Sequence, residues 1–417
     1  MEVLNENNIG YKETKLGWIP KDWGYVTLNS VMDLLTDFES NGSFADVKAN
    51  VTVNNEIDFA WYVRATDLEN DTPLKNVKYV DEHSYNFLKK TSLHGDEVLV
   101  TKRGEIGKVY YFNKVNKNAT LTPNLYLLKL NNDINSKFLF YFLKSYKGFK
   151  LLNRINASTT MGALYKDDVK KLKIPLPPIK EQQKIAAILS KWDELIGQQT
   201  ELIAAKEKRK KGLMKKLLTG EVRFSEFKGE WEEVKLSDVS NIVMGQSPSS
   251  NTYNTNDEGL PLIQGNADIT NRKTINRIWT SIPTKIIEAG DIIMTVRAPV
   301  GAVGVASFRS CIGRGVCAIN NHNVNSKFLL QTLISFELKW KVFEQGSTFT
   351  AVNSSDIRNL VLYIPTNIKE QEKIASTLTS CDIEIESLKD ELESIQKQKK
   401  GLMQQLLTGK IRVKGLK

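Results

Sequence analysis

Cysteine and histidine are scarce in this chain, three of each among 417 residues. Cys311, Cys317 and Cys381 are too few and too clustered for a disulfide framework. Cys311, Cys317 and His322 follow a C-x5-C-x4-H spacing that is not a usual zinc pattern, so no metal site is expected and a buried apolar role suits the thiols better. There is no HExxH helix and no GxxxxGK[ST] phosphate loop; the Gly-Lys pairs at Gly107 and Gly409 lack its surroundings. No Asp or Asn precedes Pro177-Pro178 and no aromatic follows, unlike amino-methyltransferase motifs, and no Pro-Asp dipeptide opens a nuclease carboxylate motif. With no recognised catalytic constellation, the chain is expected not to be an enzyme. No apolar run approaches the roughly 18 residues that cross a bilayer, so no membrane role is expected. The opening MEVLNENNIGYKET lacks the basic-then-apolar pattern of a secretory signal, which gives a cytoplasmic expectation.

Hydrophobic residues make up 41% of the chain, enough for substantial cores, and the length suits two to four domains of about 100–200 residues each. Lys and Arg exceed Asp and Glu by 58 to 48, a net charge of +10 that points to a polyanion partner. Many ordinary soluble proteins are also basic, so the charge needs company.

That company is an internal repeat. IKEQQKIA from Ile179 returns as IKEQEKIA from Ile368, and KKGLMKKLLTG from Lys210 returns as KKGLMQQLLTG from Lys399, both 189 residues later. Residues Ile179–Phe224 and Ile368–Val413 match without gaps at 21 of 46 positions, as one rigid element per copy would. The preceding halves correspond more loosely. Trp23, Val26, Leu28 and Val31 match Trp231, Val234, Leu236 and Val239; GDEVLV from Gly95 matches GDIIMT from Gly290; NSKFL occurs at Asn135 and Asn325. TTMGALYKDD from Thr159 aligns with STFTAVNSSD from Ser347.

The repeated segments read as helices of about 40 residues, roughly 60 Å long. Pro177, Pro178 and Pro365 mark their entries, and Gly220 and Gly409 suit left-handed C-terminal caps. A coiled-coil seam is predicted along Ile185, Leu189, Trp192, Ile196, Leu202, Leu213 and Leu217 in the first copy. In the second it follows Ile374, Leu378, Cys381, Ile385, Leu388, Leu392, Ile395, Leu402 and Leu406. Gln199, Lys206 and Arg209 interrupt the first seam. Parallel pairing would set Lys208, Lys210 and Lys211 beside Lys397, Lys399 and Lys400, whereas antiparallel pairing separates these runs and places cations near helix C-termini. Charges of +5 on Ile179–Gly220 and −2 on Ile368–Gly409 favour pairing the two different helices. Gly212 and Gly401 suggest either close approach by another backbone or early fraying.

The intervening halves read as mixed α/β. Strand runs broken by glycine turns occur from Gly95 to Phe112 and from Gly290 to Phe308. Amphipathic helices opened by Asn/Ser caps are predicted from Asn135 to Ile155 and from Asn325 to Gln345, with aromatics such as Phe138, Phe142 and Trp340 in the core. The reading is therefore an α+β chain. Two mixed α/β domains (1–178 and 221–367) are separated by two long helices (179–220 and 368–417, the latter with a C-terminal tail), which form an antiparallel coiled coil with an internal pseudo-twofold repeat. Candidate base and phosphate contacts are Arg64, Lys102, Arg103, Lys150 and Arg154 in the first half, and Gln264, Asn266, Arg272, Arg277, Arg297 and Arg314 in the second. Arg297 holds the place of Lys102-Arg103. Any one of these also fits a solvated charge or salt bridge; the set is the signal.

Two variable domains, each followed by a long helix with KEQ-x-KIA and GLM-x-x-LLTG, resemble the DNA-specificity subunits of type I restriction–modification systems. GWIPKDW from Gly17 and FKGEWEEVKLSDV from Phe227 resemble that family's domain openings. The resemblance implies two target-recognition domains, each reading half of a split sequence in double-stranded DNA, with the paired helices setting the gap. It implies two modification (methyltransferase) subunits and restriction (translocase/nuclease) subunits as partners. S-adenosylmethionine, ATP and Mg would sit on those partners and no cofactor on this chain. Within the same reading stands a specificity subunit of a type II system with a fused methyltransferase–nuclease partner. Outside it stand an enzyme of unrecognised chemistry and a coiled-coil scaffold that binds only protein.

Overall fold

The computed structural model describes residues 10–156, 162–346 and 352–413. Thr159–Met161 and residues 347–351 of the loosely aligned segments lie outside that set. The chain forms two compact units, and the first is discontinuous: residues 1–198 join 392–417 in one, and 199–391 form the other. The first long helix (Ile179–Leu218) and the second (Ile368–Leu406) are thus each divided between the two units.

In the first unit a four-stranded antiparallel sheet runs in the order Val109–Phe112, Glu97–Thr101, Leu125–Leu130, Met32–Asp37. Successive strand residues face opposite sides, and both sides are buried. Val98, Val100, Tyr126 and Leu128 pack into the core that contains Ile185 and Leu189 of the first long helix. Leu99, Leu125 and Leu127 pack against a second, five-stranded sheet. That sheet pairs Ala60–Val63 with Asn118–Leu121 in parallel. Strand Gly24–Thr27, next to the fully buried Trp23, pairs with Lys173–Leu176 just before the helix begins.

The second unit repeats this topology although few side chains match. Its corresponding strands run Val303–Val305, Ile292–Thr295, Val316–Asn321, Ser240–Met244, extended by two short strands, and Leu260–Ile263 lies parallel to Ser310–Ile312. The parity is the same: Ile292, Met294, Cys317 and Ile319 face the helix-side core, and Ile293, Val316 and Ala318 the other. Cys311 and Cys317 are therefore sheet-core residues, with burial pushing the Cys317 thiol up to about 12, while His322 is exposed. Among the described residues no cluster of three His, Cys, Asp or Glu could hold a metal, and no helix is long and apolar enough to cross a membrane.

The predicted helix from Asn135 to Ile155 is two helices, Ser136–Lys144 and Tyr146–Arg154. Ser145 breaks it by capping the second piece, its Oγ accepting from the Gly148 N–H. Its counterpart, Ser326–Gly346, is continuous. Asn135 and Asn325 each cap as expected, accepting from the amides of Phe138 and Phe328 at 3.0 Å.

Antiparallel pairing holds within each unit. In the first, Glu181 meets Arg412 and Asp193 meets Lys399; in the second, Gln199 bonds Glu391, Lys206 pairs with Glu384 and Lys210 with Asp382. As the number rises on one helix it falls on the other. Two of the three polar interruptions of the first seam, Gln199 and Lys206, are thus satisfied across the pair, while Arg209 is exposed; Gln199, 9% exposed, also donates to the Leu388 carbonyl. Ile185 and Leu189 share a core with Leu402 and Leu406, and Leu213 and Leu217 with Ile374 and Leu378. Ile385 and Ile395 are buried, while Trp192, Ile196, Cys381, Leu388 and Leu392 are partly covered. Leu202 is a correction: it is 41% exposed and Ile203, 7% exposed, faces inward in its place, because the Gln199 contact sets the next inward position four residues on. Gly212 and Gly401 meet neither expectation, since the helices continue to Leu218 and Leu406 and a Cβ at either glycine would meet nothing within 4 Å. Gly220 and Gly409 take φ of +69° and +68°, the left-handed caps expected.

The identity of the KEQ motifs has a physical cause. Glu181, 5% exposed, accepts from the Trp23 indole at 3.1 Å, from the Arg412 guanidinium and from the Val413 amide. Glu370 receives Arg223 through two bonds of 2.8 Å and the Trp231 indole at 3.4 Å. Gln182 and Gln371 accept from the backbone N–H of Asn135 and Asn325 and donate to the carbonyls of Pro177 and Pro365. Each repeated Glu-Gln pair therefore fastens a helix to its α/β domain, using an arginine that follows the cap of the other helix. Burial alone would raise the Glu181 carboxyl, but the bonds from Arg412 and Trp23 outweigh it and hold the carboxyl below its ordinary value. A depressed carboxylate adds stability above the unfolded pKa, near 4.5, that is lost as pH falls through the folded value. Thermal melts between pH 7 and pH 3 are expected to show a steeper acid loss for the native chain than for Glu181→Gln.

Candidate nucleic-acid interface

The first unit's sheet delivers its charge at the end of strand Glu97–Thr101. Thr101 closes a turn by donating its hydroxyl to the Glu105 carbonyl at 2.6 Å, and Lys102 and Arg103 follow with opposite fates. Lys102 is 3% exposed, its ammonium 2.7 Å from the equally buried Asp37 and its backbone bonded to Asn124 and Leu164. Burial raises the Asp37 carboxyl, but bonds from Lys102 and Lys166 outweigh it and hold it below the ordinary value. Lys102 is thus corrected from the surface to the interior, where strand alternation points it. Arg103 projects from the turn, its side chain 60% exposed and 3.7 Å from an equally open Glu39.

The second unit builds the same turn. The Thr295 hydroxyl donates to the Pro299 carbonyl at 2.7 Å and accepts from Ala302, Val296 is buried at 3%, and Arg297 is exposed. Arg103 and Arg297 therefore occupy one structural position, with Lys102 and Val296 as its buried predecessors.

Around the Arg103 turn, the helix Tyr146–Arg154 contributes exposed Lys150 and Arg154, with the Lys150 ammonium 4.4 Å above the Tyr146 ring. This helix touches the turn directly: a Cβ on Gly107 would lie 3.3 Å from the Asn153 amide and 3.7 Å from Phe149. Arg64 is committed elsewhere, in a bidentate pair with the buried Asp67 that leaves the side chain 37% exposed.

In the second unit three backbone loops meet where side chains are excluded. A Cβ on Gly315 would lie 2.1 Å from the Gln264 carbonyl, and one on Gly245 2.1 Å from the Gly313 carbonyl. The loops display exposed Gln246, Asn266 and Arg314, with partly covered Gln264 donating to Tyr253 at 3.1 Å. Arg277, half exposed, lies 3.4 Å from Asp268, whose other carboxylate oxygen accepts the Gln264 and Gly265 amides. Arg272 is turned to Glu337 and the Val303 carbonyl, a structural pair. Gln246 was missed from the sequence; its place on a Gly-Gln turn after a strand is the signal that could have found it. Amide and guanidinium donors of this kind, on loops held by glycine contacts, match the groups that read adenine and guanine edges.

A duplicated α/β domain, bound in each copy to parts of two antiparallel helices and exposing an arginine at one shared turn, defines a class of proteins with two copies of one candidate recognition surface. The chain belongs to the type I restriction modification DNA specificity domain family, whose model matches residues 20–205 and 228–397. It is 33% identical to a putative type I restriction enzyme MjaX specificity subunit of Methanocaldococcus jannaschii, over 99% of both chains. It is 26% identical to the MjaVIII specificity subunit of the same organism, over 100% of this chain and 99% of the relative. Among solved structures, the S subunit of a type I restriction–modification system from M. genitalium superposes with a TM-score of 0.61 at 18% identity, covering 97% of this chain and 98% of that one. A chain from a structure of a type I R-M system gives 0.58 at 23% identity, covering 94% and 99%. Both have the same fold.

Proposed function

We propose that the chain is the non-catalytic DNA-reading subunit of a type I restriction–modification complex, each unit reading one half of a bipartite sequence. The long helices set the spacer and dock two modification subunits, with restriction subunits joining them; S-adenosylmethionine, ATP and Mg belong to those partners. The observation that carries this reading is that the family match falls twice, once on each domain, and each copy exposes an arginine at the same turn. The net charge of +10 supplies the long-range attraction for DNA.

The test is methylation mapping in cells carrying the complex. Arg297→Ala is expected to relax the half-site read by the second unit and leave the other half intact. A lost bidentate guanine contact is worth about 1–3 kcal/mol, or about 5- to 150-fold in discrimination. An unchanged pattern of methylated adenines would remove Arg297 as a reader. Methylation or cleavage by the purified chain alone would overturn the non-catalytic role.

A further inference from the structure

We propose that the first unit reads its half-site partly by wedging the rings of Tyr146 and Phe149 against an unstacked base step of duplex DNA. This rests on the functional reading above and names the contact at that surface. Two aromatic rings stand in water on one helix face, Tyr146 60% and Phe149 48% exposed, three residues apart and so side by side. Their exposure is fixed by the backbone. A Cβ on Gly148 would fall 2.2 Å from the Phe142 carbonyl, so the helix is seated backbone to backbone on its predecessor, and fully buried Leu152 anchors its next turn beside Phe149. Turning the helix to bury the rings would break the Gly148 seat.

The surroundings identify the occupant. Lys150 lies 4.4 Å above the Tyr146 ring, Arg154 is exposed one turn further on, and the Arg103 turn abuts Phe149 through Gly107. Lys150 and Arg154 have no acidic partner within 4 Å among the described residues, so the patch is apolar at its centre and cationic at its rim. A protein partner would have to match the cations with acids. A polyanion with flat apolar faces inside it, which is duplex DNA opened at one step, satisfies both parts. Phosphates take the cations and the rings replace the lost base stacking. Half-site preference would then depend on how easily a step unstacks, with flexible pyrimidine–purine steps favoured.

The test uses the full chain assembled with its modification subunits and duplexes that carry 2-aminopurine at successive positions of the mapped site. The native complex is expected to raise 2-aminopurine fluorescence at one step of the half-site lost in Arg103→Ala. The double variant Tyr146→Ala/Phe149→Ala is expected to abolish that rise and weaken binding about tenfold to a hundredfold. The slope of log affinity against log salt should not change, because no phosphate contact is lost. Phe149→Trp, which keeps a stacking face, is expected to retain both signals. Unchanged affinity and fluorescence in the double variant would overturn the wedge and leave DNA reading intact. So would a loss of affinity with the fluorescence rise preserved, or release of the modification subunits with DNA binding unaltered. Salt-insensitive binding by the native complex would defeat the functional reading itself.

Discussion

Inserting seven residues between Gln198 and Gln199, and seven more between Glu391 and Leu392, is expected to move the methylated site while preserving both half-sequences. Seven residues are two helical turns, so every seam residue keeps its face. Both helices must be lengthened, because they run antiparallel and each pairs with the other in both units. The added rise is about 10 Å, close to three base pairs of a duplex that advances about 34 Å per 10–10.5. Genome-wide mapping of methylated adenines should therefore show the original site falling to background and the same half-sites reappearing with a spacer about three base pairs longer. Altered half-sites would refute the ruler. Insertion in one helix alone should destroy activity, because it opposes Gln199 and Lys206 to the wrong partners.

Lys102→Ala and Arg103→Ala should differ sharply although the two residues are neighbours. Removing Lys102 leaves the buried carboxylate of Asp37 with Lys166 as its remaining lysine, and breaking a buried pair costs about 3–5 kcal/mol. For a unit of this size that is a melting temperature lower by roughly 10 °C, measurable by calorimetry. Arg103 faces solvent, and its pair with exposed Glu39 contributes about 0–1 kcal/mol. Arg103→Ala should leave the melt almost unchanged and weaken methylation at sites that depend on the first half-sequence. Equal melts for the two variants would contradict the buried position of Lys102.

These adjacent residues show how far the sequence can be read. The repeat, the helix bounds, the glycine caps and the antiparallel sense follow from local pattern and charge, and each appears in the structure. The difference between Lys102 and Arg103 does not, because it depends on Asp37, 65 residues away. Leu202 and Ile203 are equivalent apolar neighbours until Gln199 finds Leu388 and fixes the phase of the helix. Arg64 and Arg272 look free in sequence and are committed to Asp67 and Glu337 in three dimensions. Composition proposes which side chains could meet DNA; long-range partners decide which remain available.

The division of each long helix between two units bears on how the molecule is made. Once the ribosome has passed residue 391, every segment of the 199–391 unit has been synthesised. The unit containing the N-terminus still lacks Leu402, Leu406 and Leu407, which complete its core, and Arg412, which locks Glu181. The usual order, in which the first domain translated is the first to fold, is expected to be reversed. The earliest-born half waits longest with its apolar surface uncovered, and a nascent chain stalled near its end would carry one finished reader and one unsealed one.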